Sequence, residues 1–248
     1  MIESLSDTNF TQNLILFISV ITIMTVVYPI AGYYQSKRLR DQMVSWAYNK
    51  TLWYRTSIIW SWVPTLVIVF SVLISGFSFA DLGFVTPSSQ INEVDNLYFY
   101  GALAGAAIYF LYSLYAIISF RLSNRIREEH ANKIPAAMKM MLPVTQKEKR
   151  AWTLLAISAG ITEEINYRGY LFLAIPLIFP WVNGVAIIAI SSLLFAIGHI
   201  YQGKEAFKPA IAGVAIGTIF YLTGSLYPVI IIHIAQDLVA KELLKEEL

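Results

Sequence analysis

The sequence has no cysteine, which removes disulfides, cysteine-ligated zinc and thiol nucleophiles together and leaves the redox compartment undetermined. Charge is scarce too: 14% of the 248 residues are Asp, Glu, Lys or Arg, against about 25% in a soluble domain. Eighteen Lys and Arg face sixteen Asp and Glu, a net +2 that gives no case for a nucleic-acid surface. No low-complexity linker and no internal repeat of convincing period divides the chain. What remains is apolar. Hydrophobic residues make up 57%, in long uncharged runs, which excludes an ordinary cytosolic globule and a disordered chain.

Runs of about 18 or more apolar residues read as membrane-spanning helices, because lipid forces each backbone polar group to be satisfied within the segment. Seven spans are expected, at 13–34, 57–80, 97–120, 151–179, 181–200, 209–223 and 225–240, the last two of them short. The first is longer and less basic at its start than a cleavable signal peptide and lacks a small-residue cleavage site, so it is expected to stay in the mature chain. Segment 151–179 would be about 43 Å long as a straight helix against a hydrocarbon core of about 30 Å, so one end must project or bend. Pro176 and Pro180 are expected to close it, and Gly224-Ser225 makes a tight turn between the last two spans. The fold class is all-α, a polytopic transmembrane bundle of about seven spans, or eight. Residues 1–150 hold the N-terminal helices and a basic loop; residues 151–248 hold the core.

Charge orients the spans. Segments 35–56 and 121–150 carry thirteen of the eighteen bases, whereas segment 77–96 has Asp81, Glu93 and Asp95 and no base. The positive-inside rule places the two basic segments in the cytoplasm, with the N-terminus and segment 77–96 outside. Lys241 and Lys245 then fall inside, in agreement. Segment 121–150 is the longest loop, and its stretch 134–142 is expected to lie along the headgroups as an amphipathic turn. The pairs Gly101/Gly105 and Gly213/Gly217 have small-residue spacing that reads as helix packing.

Ionisable residues inside the spans are the informative ones. The first three spans hold no Asp, Glu, Lys, Arg or His; the last four hold Glu163, Glu164, Arg168, His199, His233 and Asp237. Each costs roughly 2.5–3.5 kcal/mol at a helix centre on insertion scales, so chance placement is a poor explanation. Glu164 and Arg168 are four residues apart with the acid first, the favoured order for a helical ion pair, which reads as structural. Glu163 lies about 100° round the helix and has no local cation. His233 and Asp237, also four apart, can reach one point. Such a set suits a buried hydrolytic site, and equally a proton relay in a transporter. His130, beside Arg127, Glu128 and Glu129, reads as solvated surface.

These residues fall into three motifs in order: Glu163-Glu164-Ile165-Asn166-Tyr167-Arg168, Phe195 to His199, and His233-Ile234-Ala235-Gln236-Asp237. Gly169 follows the first, Gly224 to Pro228 precedes the third, and Ala80 to Phe84 resembles a short Leu-Gly segment between earlier helices. Over about 151–240 the chain resembles the CAAX protease and bacteriocin-processing (Abi) family of intramembrane proteases. Each motif alone is weak, and three in order on hydrophobic spans are specific.

The resemblance implies endoproteolysis within the membrane by water attack on a peptide bond. Glu163 would activate the water, and His199 would help hold it or a metal. His233 and Asp237 would polarise the carbonyl and stabilise the oxyanion, or complete a metal site; Glu164 and Arg168 would lock the helix and tune Glu163. The family often has Asn where this chain has Asp237. An ionised Asp cannot donate to an oxyanion, so it must be protonated, orient His233 or bind a cation. Two mechanisms stay open: a metal-free Glu/His site, slightly favoured, and a Zn2+ site with Glu163, His199, His233 and Asp237 as ligands. The implied partners are the bilayer and a membrane-anchored, in some relatives prenylated, peptide or protein in a prokaryotic plasma membrane. Rival classes are a non-catalytic immunity or scaffold protein and a proton-coupled transporter.

Overall fold

The computed structural model describes residues 7–43, 49–90 and 92–245, so the basic segment 35–56 is seen without its 44–48. The described chain is helical and contains no strand. Helix α1 (Asp7–Thr22) passes through a π-helical turn (Ile23–Val27) into α2 (Tyr28–Met43), and α3 (Lys50–Ile74) and α4 (Asn96–Leu122) follow. Two short helices, α5 (Asn124–Asn132) and α6 (Ala136–Lys139), fill the basic loop. Helix α7 (Gln146–Glu164) continues through a second π-helical turn (Ile165–Tyr170) into α8 (Leu171–Ile178). Then come α9 (Gly184–Gly198), a 3-10 turn (Ile200–Ala206), α10 (Phe207–Thr223) and α11 (Leu226–Ala240).

Each expected span corresponds to a helix. Leu14–Tyr34, Lys50–Ile74, Asn96–Leu122 and Ile200–Thr223 are each long and apolar enough to cross a membrane. Outward side chains on α3 and α4, among them Leu66, Phe70, Ile108 and Leu111, are exposed apolar surface of the kind lipid covers. The protein is an integral membrane protein built as a polytopic helical bundle.

The boundaries differ from the sequence reading for local reasons. Helix α3 begins at Lys50 because the Asn49 side chain accepts a hydrogen bond from the Leu52 N–H. It stops at Ile74 rather than 80 because Ser75 leaves helical geometry and Gly76 takes a left-handed φ of 83°. The long 151–179 segment both projects and is interrupted. It starts at Gln146, where Thr145 and Glu148 form a reciprocal capping box, and its middle turn is a π-helix. Pro176 does not close it: the proline lies within α8, which ends at Ile178, next to the extended Phe179 that precedes Pro180. The sixth span is longer than 209–223 because the 3-10 turn, kinked at Gly203, leads into it.

Segment 134–142 contains the short helix α6 and is tied to the bundle. The Tyr54 hydroxyl donates to the Met141 carbonyl at 2.7 Å and Lys50 Nζ to the Leu142 carbonyl at 2.9 Å, drawing the loop onto the start of α3. Of the two glycine pairs, Gly213 meets Ser192 and Gly217 meets Ile188 and Phe172, whereas among the described residues nothing would lie within 4 Å of a Cβ at Gly101 or Gly105.

The residues after α3 form a plug over the turn between α10 and α11. The Leu226 N–H donates to the Gly83 carbonyl at 2.8 Å, the Ser225 hydroxyl to Val85 at 2.6 Å, and the Ser88 N–H to Thr223 at 2.9 Å. Thr223, Ser225 and Leu226 are fully buried. Helix α11 therefore starts beneath a layer of protein, which brings its midpoint, His233, deep enough to meet the end of α9.

Candidate active site

The site is assembled where α7, α9 and α11 meet. Gly160 makes the first crossing possible: a Cβ there would stand 2.5 Å from Ile234 Cγ1 and 3.2 Å from the Ile234 backbone nitrogen. Without one, α7 and α11 pack backbone to backbone, and the next turn of α7 carries Glu163 and Glu164 to His233.

The two glutamates face different surroundings. Glu164 and Arg168 are both fully buried and paired at 2.9 Å across the start of the π turn. Arg168 also reaches the Gly213 carbonyl at 3.5 Å, and its guanidinium carbon lies 4.5 Å from the centre of the Phe195 ring. The same Glu164 oxygen that takes Arg168 lies 2.5 Å from His233 Nδ1. A carboxylate paired with arginine can only accept, so His233 Nδ1 donates and the ring is fixed with Nε2 pointing away. Glu163, with a quarter of its side chain exposed, faces that Nε2 at 3.7 Å and His199 Nε2 at 3.9 Å.

His199 caps the C-terminus of α9, where its Nδ1 lies 2.8 Å from the Phe195 carbonyl. A carbonyl accepts, so Nδ1 donates here too, and Nε2 is the ring atom turned toward Glu163. The Asp237 carboxylate lies 3.9 Å from His233 Nε2, one turn further along α11, and its backbone carbonyl accepts from the Trp152 indole at 2.9 Å. Glu163, His199, His233 and Asp237 thus line one cavity through successive pairwise approaches, with Glu164 and Arg168 behind His233.

Two cavities open onto Glu163. One, of about 190 Å³, is lined by Met24, Tyr28, Trp60 and Pro64 from the N-terminal helices together with Glu163 and His199. The other, of about 260 Å³, runs toward the 138–142 loop and is lined by Met138, Met141, Trp152, His233 and Asp237 with the same Glu163 and His199. Residues 1–150 therefore supply walls of the site.

Three wall residues escape a search for charge. The Tyr28 hydroxyl is buried and has no hydrogen-bond partner among the described residues. Tyr201 lines both cavities and stacks 5.8 Å from His199. Asn166, in the π turn, lies 3.0 Å from the Thr65 hydroxyl and ties α3 to the site. Asn166 carried a signal, as a lone amide inside an apolar span; the tyrosines did not, in a chain with fifteen.

The donor set for zinc is present by residue type. As the side chains stand, no group of three His, Asp or Glu residues among the described residues gathers closely enough to hold a metal ion. The separations of 3.7–3.9 Å instead exceed direct hydrogen bonds and suit a bridge by one water-sized group.

Residues 146–239 match the family model described as Rce1-like, Type II CAAX prenyl endopeptidase Rce1-like. The match starts with α7 and runs to the last turn of α11, enclosing the six ionisable residues of the apolar spans and leaving α1 to α6 outside. Compared with curated proteins and with solved structures, the chain finds no significant match.

Proposed function

We propose, from the match of residues 146–239 to the Rce1-like model of type II CAAX prenyl endopeptidases, that Glu163 activates water for hydrolysis of a peptide bond in a membrane-anchored substrate. The observation that carries this reading is the placement of Glu163: a partly exposed carboxylate between two imidazole nitrogens, at the junction of two cavities. A scaffold or immunity protein has no use for that arrangement. The cavity beside Met24 and Trp60, walled by the N-terminal helices, suits the membrane-anchored part of a substrate, and the cavity beside Met138 and Trp152 suits the chain leaving it.

In this mechanism water sits between Glu163 and the Nε2 atoms of His199 and His233. Its proton passes to Glu163 while its oxygen bonds the carbonyl carbon. His199 accepts the second hydrogen and aims the attack. The carbonyl oxygen takes up negative charge beside His233, which in its imidazolium form donates from Nε2, and beside Asp237, which donates if protonated. Collapse of the tetrahedral intermediate breaks the C–N bond, and Glu163 returns its proton to the departing amine. One water is consumed, and one carboxylic acid and one amine are formed.

The test is cleavage of a membrane-tethered peptide library, prenylated and unprenylated, by the purified full chain. Wild type should cleave, Glu163→Gln should lower turnover by about 10²–10⁴-fold, and a chelator should leave the wild-type rate unchanged. Equal cleavage by Glu163→Gln overturns the assignment. Activity lost to the chelator and restored by zinc replaces the metal-free mechanism with a metal site.

A further inference from the structure

Away from this site, three chain segments that are remote in sequence wall one cavity of about 600 Å³. Arg121 and Arg127 come from the end of α4 and from α5, Lys149 and Arg150 from the start of α7, and Lys241 and Lys245 from beyond α11. The acid among its lining residues is Glu242, and it is shared: 2.7 Å from Arg121, 3.8 Å from Lys241 and 4.0 Å from Lys149. One carboxylate cannot neutralise three cations, and Arg127, Arg150 and Lys245 have no carboxylate partner among the described residues. Arg127 is 6% exposed, and its hydrogen bond goes to the Phe120 carbonyl at 3.4 Å. Burial, with Arg127, Lys241 and Lys245 close by, pulls the Lys149 ammonium below its ordinary range against the opposing pull of Glu242.

Membrane orientation needs a number of bases on one side, not their convergence. Lys133, in the same loop, shows the ordinary case, an exposed pair with Glu129. Six bases around one cavity with one shared acid repel each other and ask for an anion. The end of α4, the start of α7 and the residues beyond α11 meet at this cavity, at the charged ends of apolar helices, the level at which a spanning helix meets lipid headgroups. Basic pockets between helices at that level suit phosphate-bearing headgroups.

We propose that this cavity binds a phosphate group, supplied by the headgroup of an anionic phospholipid in the leaflet on the side of segment 121–150. Arg127 and Lys149 form the buried floor, and Arg150 and Lys245 the exposed rim. The inference does not depend on the proteolytic reading.

The experiment uses the full chain in nanodiscs of phosphatidylcholine alone or mixed with phosphatidylglycerol, read by native mass spectrometry of retained lipid and by melting temperature. Wild type should retain phosphatidylglycerol at least about five-fold over phosphatidylcholine and melt higher in its presence. Arg150→Gln and Lys245→Gln, at exposed positions, should each cut retention about five-fold while melting like wild type in phosphatidylcholine discs. A third arm adds inorganic phosphate to phosphatidylcholine discs; stabilisation there equal to that by phosphatidylglycerol assigns the site to soluble phosphate. Equal retention of the two lipids with no effect of phosphate overturns the proposal, as does undiminished phosphatidylglycerol retention in both variants. If either variant fails to fold, the wild-type lipid comparison still decides.

Discussion

Two consecutive glutamates end α7, yet of the two it is Glu164 that pairs with the Arg168 guanidinium. Arg168 and His233 both donate to one Glu164 oxygen, while the second oxygen and Arg168 Nε have no partner among the described residues. A buried pair left half satisfied is weak evidence for stability, so its use lies in holding His233 in one tautomer. Glu164→Ala should leave Arg168 as an uncompensated buried charge, lower stability by about 3–5 kcal/mol and release His233. Glu164→Leu with Arg168→Leu should recover the melting temperature better than either single change and still lack activity. Glu163→Gln should fold like wild type and be inactive. A stable Glu164→Ala beside an unfolded Glu163→Gln would reverse the two roles. Tyr28 allows a separate check. Its buried, unpartnered hydroxyl faces the cavity that Glu163 lines, so Tyr28→Phe should cost no stability and gain up to about 1–3 kcal/mol. If the hydroxyl contacts substrate, cleavage slows while the melting temperature holds or rises; an unchanged rate removes Tyr28 from the site. The six ionisable residues were legible because charge in an apolar span is costly. The bond between Glu164 and His233 was not, since its partners lie 69 positions apart and no spacing rule links them.

At the scale of elements, hydropathy located the helices and missed what bends them. Nothing in Ile165 to Tyr170 marks a π turn, because the i+5 hydrogen bonds depend on what packs around them. Here Gly169 sits against the Leu82 carbonyl and Tyr170 donates to Phe17, contacts supplied by distant segments. The same holds for the start of α11, whose depth depends on the plug at 83–88. Gly160 is the element-scale feature most open to test. Gly160→Ala should push α7 from α11 at a cost of about 1–3 kcal/mol and separate Glu163 from His233, lowering cleavage. The closest obstacle is the Ile234 side chain, so Gly160→Ala with Ile234→Ala should recover part of both losses. If Gly160→Ala melts and cleaves like wild type, the close crossing does not position the site.

The whole molecule carries a polarity that its charges dictate. Helix α4, 27 residues and about 40 Å long, separates the acidic segment 77–96 from the basic segment 121–150, so the two lie on opposite faces of the bundle. Bases are retained on the cytoplasmic side during insertion, and thirteen of eighteen lie in segments 35–56 and 121–150. The side of segment 121–150 is therefore expected to be cytoplasmic, with the basic cavity in the inner leaflet, where anionic lipid is available. A chain without cysteine makes this directly measurable. Gln90 and Asn132 are exposed positions on opposite faces, and neither side chain holds a contact that defines the fold. In intact cells an impermeant thiol reagent should label Gln90→Cys and leave Asn132→Cys untouched until the membrane is opened. Labelling of Asn132→Cys from outside inverts the orientation. The distances among Glu163, His199 and His233 would stand in either case, but the basic cavity would then meet the outer leaflet, and its lipid would have to come from there.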